Sequence, residues 1–71
     1  MSIEPGSHVV ATDAFGRELD RVAISGPERG ADFPVIWVCR PEEWALAQEE
    51  GRGPEGVPWP IEDVAAVAAV R

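Results

Sequence analysis

Asp32-Phe33-Pro34-Val35-Ile36-Trp37-Val38-Cys39-Arg40-Pro41-Glu42-Glu43-Trp44 is the densest apolar run of this 71-residue chain, and it passes directly into an acidic segment. On an extended strand Phe33, Val35, Trp37 and Cys39 point to one side, and Pro34, Ile36, Val38 and Arg40 to the other. Both sides are largely apolar, so the strand belongs at the centre of a sheet with each face covered. Its β-branched and aromatic residues and its flanking prolines select strand over helix. Pro34 is tolerated where the ladder needs no donor. Pro41, a natural first helical residue, ends the strand and begins the next element.

Outward from this run, His8 to Asp13 has the composition of a first strand. Ala14-Phe15-Gly16 reads as a tight connection, with Gly16 available for a positive φ. Arg17 to Ser25 returns as a second strand. Val22 and Ile24 share a face there and Leu19 falls on the other, which suggests a bulge near Asp20 or Arg21. The turn residues Gly26 to Gly30 connect this strand to the central run, so the three strands form an antiparallel meander over residues 7–40. Residues 1–6, broken by Pro5 and Gly6, read as a loose lead-in.

Residues 41–50 are the one good helix, with Pro41 first, Glu42 and Glu43 favourable to the N-terminal dipole and Gly51 as stop. Glu49 and Glu50 lie at the unfavourable end. Pro41, Trp44, Ala45, Ala47 and Gln48 share one arc and Glu42, Glu43, Glu49 and Glu50 the opposite one, with Leu46 inside the acidic arc. Either the short helix frays or a flanking loop covers Leu46, or Leu46 is an exposed apolar contact ringed by carboxylates. Residues 51–60, GRGPEGVPWP, read as an irregular Gly/Pro loop. Trp59 pins that loop to the body or, if exposed, offers an aromatic shelf. In residues 61–71 the valines 64, 67 and 70 suit a helical face, but a turn at Pro60 to Asp63 and a closing strand from Val64 better protect an open sheet edge.

A chain of this length is one domain, residues 1–71, and buries only about 60% of the surface its unfolded form exposes. Stability is expected to rest on the large side chains Phe15, Phe33, Trp37, Trp44 and Trp59, or on a partner. Thirteen carboxylates against six arginines give a formal charge of -7. Residues up to Pro41 carry six acids and four arginines, and those from Glu42 onward seven acids and two arginines. Direct nucleic-acid or anionic-membrane binding is not expected, and a basic protein partner is. The single Cys cannot form an intramolecular disulfide. MSIEPGS lacks the basic and apolar regions of a secretory signal, and no run approaches the ~20 apolar residues of a membrane span, so the expected location is cytoplasmic. The absence of Lys, Asn and Tyr, with abundant Ala, Val, Gly, Pro and Arg, marks a GC-rich coding sequence.

The meander, the inserted helix and the proline-led turn before a last strand resemble a small SH3-like barrel. DFPVIWVCRPEEW and EGVPWPIEDV also resemble short uncharacterised proteins of high-GC Gram-positive bacteria and their phages, over Ser7 to Val67. The resemblance implies a mostly β fold: a three-strand antiparallel meander plus closing strand with one short inserted helix. It implies no particular activity, since such barrels host many. Peptide-binding SH3 domains use tyrosine-lined grooves, and this chain has no Tyr.

His8, Cys39 and Asp13 are the residue types of a nucleophile, base and orienter, but a cysteine on an apolar strand is ordinarily an inert buried group. One His and one Cys do not supply a zinc site. The pairs Glu42-Glu43, Glu49-Glu50 and Glu62-Asp63 lack calcium-loop spacing, and the glycines 51–56 lack the Lys-Ser or Lys-Thr of a phosphate loop. No enzyme and no cofactor is expected. The leading expectation is a protein-protein interaction module with Glu42, Glu43, Leu46, Glu49, Glu50 and Trp59 as candidate contacts. The alternatives are a self-assembling structural subunit that uses Val64, Val67 and Val70, as in a phage particle, and an acidic decoy of a nucleic-acid-binding protein.

Overall fold

The computed structural model describes residues 3–26 and 34–67 and the backbone of 28–29. Among these residues six strands, one helix and a single 3-10 turn follow in chain order: β1 (His8–Thr12), β2 (Glu18–Ala23), β3 (Glu28–Arg29), β4 (Pro34–Cys39), α1 (Pro41–Glu50), β5 (Val57–Pro60), the 3-10 turn Ile61–Asp63 and β6 (Val64–Ala66). All pairings are antiparallel. β2 lies between β1 and β4, β6 extends the sheet beyond β1, and β4 also pairs with β3 and β5. The fold is mostly β with one helix, and the sheet is open, with β5 and β6 unpaired to each other.

The run 32–44 takes the expected central place. β4 is flanked by β2 and β3 along one edge and by β5 along the other. Val35, Ile36, Val38 and Cys39 are buried, two on each face. Val9, Ala23, Ile36 and Val38 form the inner cluster, with Ile3, Trp59, Ile61 and Val64 packed against it. On the other face Val22 stands opposite Cys39. There α1 lies against β2 and contributes its buried Ala47.

Several expectations are corrected. Among the described residues the fully buried core is Val, Ile, Ala and Cys; of the expected aromatics Trp59 packs against it and Trp44 is half-buried, but Phe15 is 84% exposed and Trp37 38% exposed. Phe33 lies outside the described residues. β2 has no bulge against β1, since pairing runs one to one from His8–Val22 to Thr12–Glu18. Both faces of β2 have cover, Leu19 opposite the buried Ala11 and Val22 opposite Cys39, so no slip is needed. The turn after β2 contains the short strand β3. Nor are residues 3–6 loose: the Gly6 N–H donates to the Ala23 carbonyl at 2.8 Å, Ala23 returns a bond to Ser7, and Ile3 reaches the core.

The largest correction is β5 inside the Gly/Pro segment 51–60. The Ile24 N–H donates to the Trp37 carbonyl at 2.7 Å, which fixes the Trp37 peptide on the β2 side of β4. By strand alternation Ile36 and Val38 then face β5, where they pair with Trp59 and Val57. Pro58 and Pro60 therefore fall where the ladder needs no donor. Composition alone read this segment as a breaker because it is blind to that phase. The expected turn and closing strand are present: the 3-10 turn at Ile61–Asp63 delivers β6 to β1, with Val64 opposite Ala11 and Ala66 opposite Val9.

Two glycines are required by the backbone, one by its φ and one by a close approach. Gly16 has φ 79° in the β1–β2 turn, where the Asp13 carboxylate accepts the Phe15 and Arg17 N–H groups at 2.8 and 3.0 Å. At Gly56 a Cβ would stand 2.2 Å from the Val38 carbonyl oxygen and 2.4 Å from Ile24 Cδ1, so the chain re-enters the sheet where only glycine fits.

Candidate functional site

The sequence places α1 by its ends. Pro41 opens it, and Gly51 at φ 68° closes it. The Gly51 N–H donates to the Gln48 carbonyl at 3.3 Å and the Arg52 N–H to that of Ala47 at 3.0 Å, the paired closure expected of a left-handed glycine past a helix end. Trp44 is half-buried against Gly6, whose φ of 91° and lack of a Cβ admit the ring.

Arg52, just past that closure, folds back along the helix. Its Nη1 and Nη2 donate to the two oxygens of Glu43 at 2.6 and 3.3 Å, and its Nε to Glu50 at 2.6 Å. The Glu55 N–H adds a 2.9 Å bond to Glu43. Arg52 and this N–H hold the Glu43 carboxyl down at about 2, against an ordinary 4.5. Arg52 also supplies the positive charge that the last turn of α1 lacks. Two of the four expected acidic contacts are thus internally engaged.

The other two stand free. At 100° per residue Glu42, Leu46 and Glu49 fall within about 60° of one another, one turn apart, and form a single row. Leu46 is 44% exposed, and Glu42 and Glu49 are exposed with no ion pair among the described residues. Leu46 is not covered by a loop.

Trp59 lies on β5, half-buried on the core cluster, and its Nε1 donates to the Thr12 carbonyl at 3.0 Å. The ring anchors β5 across to the end of β1. Val64 is likewise committed to the interior, whereas Val67 is 50% exposed; Val70 lies outside the described residues. Val22 separates His8 from Cys39 across three paired strands, a span of about 10 Å, and Asp13 is engaged by Arg17 at the far turn. Burial, and then the Glu43 charge, raise the Cys39 thiol pKa, against Arg21 and the Trp44 N–H. Among the described residues no three His, Cys, Asp or Glu side chains converge as metal ligands, and no helix is long and apolar enough to cross a membrane.

Sequence reasoning missed Arg52, although its place after a helix-ending glycine in a chain with Glu43 and Glu50 was the available signal. It also missed a groove of about 390 Å³ where β2, the β4–α1 junction and β5 meet, rimmed by Arg21 and Arg40 over Val38, Val57 and Trp59. Only the strand register brings those residues together. Comparison with family models, with curated proteins and with solved structures finds no match to this chain.

Proposed function

We propose that this chain is a protein-protein interaction module that docks a basic, partly apolar segment of another protein on the row Glu42–Leu46–Glu49. The observation that carries this reading is Leu46, 44% exposed with a free carboxylate one turn to either side. An apolar centre gives affinity, and flanking charges give register and approach rate. Glu43 and Glu50 act on the fold through Arg52, so reversal of their charge confounds binding with stability. We also propose that the fold is an SH3-like barrel, a reading supported by the meander, the 3-10 turn between the last two strands and the return of β6 to β1.

Capture from source-cell extract with wild-type, Leu46→Asp, the Glu42→Arg/Glu49→Arg pair and Phe15→Ala as baits tests the docking row. A partner held by wild-type and Phe15→Ala but lost by the other two is the expected result. Partners retained equally by all four baits would sink the proposal.

A second reading, self-assembly, is favoured by β6. The Val67 N–H donates to the His8 carbonyl at 3.2 Å, so alternation turns the Ala65 peptide toward β1 and that of Ala66 outward. This edge is short, uncharged and free of proline, and it presents an open donor to a second strand.

A further inference from the structure

We infer that the groove between β2, the start of α1 and β5 is a carboxylate-binding site that takes the end of a partner chain with an apolar last residue. The inference is independent of the Glu42–Leu46–Glu49 row. β2 and β4 pair at Val22–Cys39 and Ala23–Val38, so Arg21 on β2 and Arg40, the first residue past β4, follow next to that pairing. Both line the groove. Like charges that line one groove oppose each other, and neither arginine makes an ion pair among the described residues, in a chain of net charge -7. Arg21 donates Nη1 to the Asp20 carbonyl at 2.6 Å and keeps its other N–H groups available. Two arginines that line one groove, neither of them in an ion pair among the described residues, have the donor pattern that carboxylates satisfy.

Two glutamates also line the groove. Glu43 is matched by Arg52, which leaves the arginine pair facing Glu55 alone. The floor is apolar: Val38 is buried, Trp59 half-buried and Val57 exposed. A volume of about 390 Å³ admits a residue or two. A polyanion such as nucleic acid would add many charges against the net charge of the chain, whereas a chain end adds one. A chain end also sets a carboxylate on the atom that bears its last side chain, which matches arginines beside an apolar floor. An internal strand would have to pass along β5, whose prolines offer it no donors.

The test is amide and Trp Nε1–H chemical-shift titration of the full chain with four probes: N-acetylvaline, N-acetylvalinamide, N-acetylglycine and inorganic phosphate. N-acetylvaline should move the Trp59 indole and the amides near Arg21 and Arg40, with the other three binding about tenfold or more weaker. Arg40→Gln, at an exposed position, should weaken N-acetylvaline by a similar factor, Glu55→Gln should tighten it, and Glu49→Gln should leave it unchanged. Equal binding of the acid and its amide would remove the arginines from recognition and overturn the inference. Equal binding of N-acetylglycine or phosphate would remove the apolar floor and overturn it too, as would shifts insensitive to Arg40→Gln or no shifts at all.

Discussion

Single residues hold this domain at places its composition does not mark. Glu43, held near 2, ties the first turn of α1 to the chain beyond the helix. Because its carboxyl is depressed in the folded state, the stabilisation is complete above the ordinary 4.5 and is lost as pH falls from there through about 2. Asp13, lowered chiefly by the Arg17 N–H, acts in the same direction. Urea midpoints at neutral pH, near 4 and near 2 should therefore fall steadily in wild-type and fall less in Glu43→Gln. An identical fall in both would show that the Arg52 clamp contributes nothing. Gly56→Ala tests the close approach to β4: its methyl would meet the Val38 carbonyl and Ile24, and the expected loss is about 1–3 kcal/mol in urea unfolding. A neutral substitution would mean that β5 can be displaced from the sheet without cost.

Elements were legible where one physical signal dominated. The alternation and two-sided apolarity of residues 34–39 identified β4, and Pro41 and Gly51 bracketed α1 at both ends. Asp13 and Gly16 similarly marked the β1–β2 turn. β5 was illegible because proline content argues against a strand until the phase of the neighbouring strand is known, and that phase is a tertiary fact. Phe15 and Trp37 were misjudged as core for a related reason. With α1 on one face and β5 on one edge, the space left inside the sheet is filled by Val, Ile and Ala with Trp59 against them, and Trp37 reaches solvent. In the site, Leu46 was legible from helical spacing, whereas Arg21 and Arg40, 19 positions apart, meet only through register. Trp59→Phe measures what the anchor adds to β5. It removes the bond to the Thr12 carbonyl, should cost about 1 kcal/mol, and should raise amide exchange at positions 57 and 59, the two of β5 that carry an N–H, before the rest of the sheet. A uniform rise across all strands would assign Trp59 to the core as a whole.

At the scale of the molecule, the sheet edges at β5 and β6 differ. β6 presents the Ala66 N–H outward, and β5 presents Pro58 and Pro60. Sedimentation equilibrium of wild-type and Ala66→Pro over a wide concentration range is the direct comparison, since proline there removes the outward donor and leaves the bonds of Ala65 and Val67 to β1 in place. Association that Ala66→Pro abolishes is expected if β6 pairs with a second copy. Association that survives it would place the contact elsewhere, and a monomer in both would leave the outward edge without a role in assembly.

The prolines of β5 also set an upper limit on growth. Propagation of a ladder through many copies needs two competent edges on every unit, and the β5 edge is not one of them. Copies that join β6 to β6 bury those edges against each other, so this pairing closes on itself as a dimer and does not lengthen into a fibre from β5.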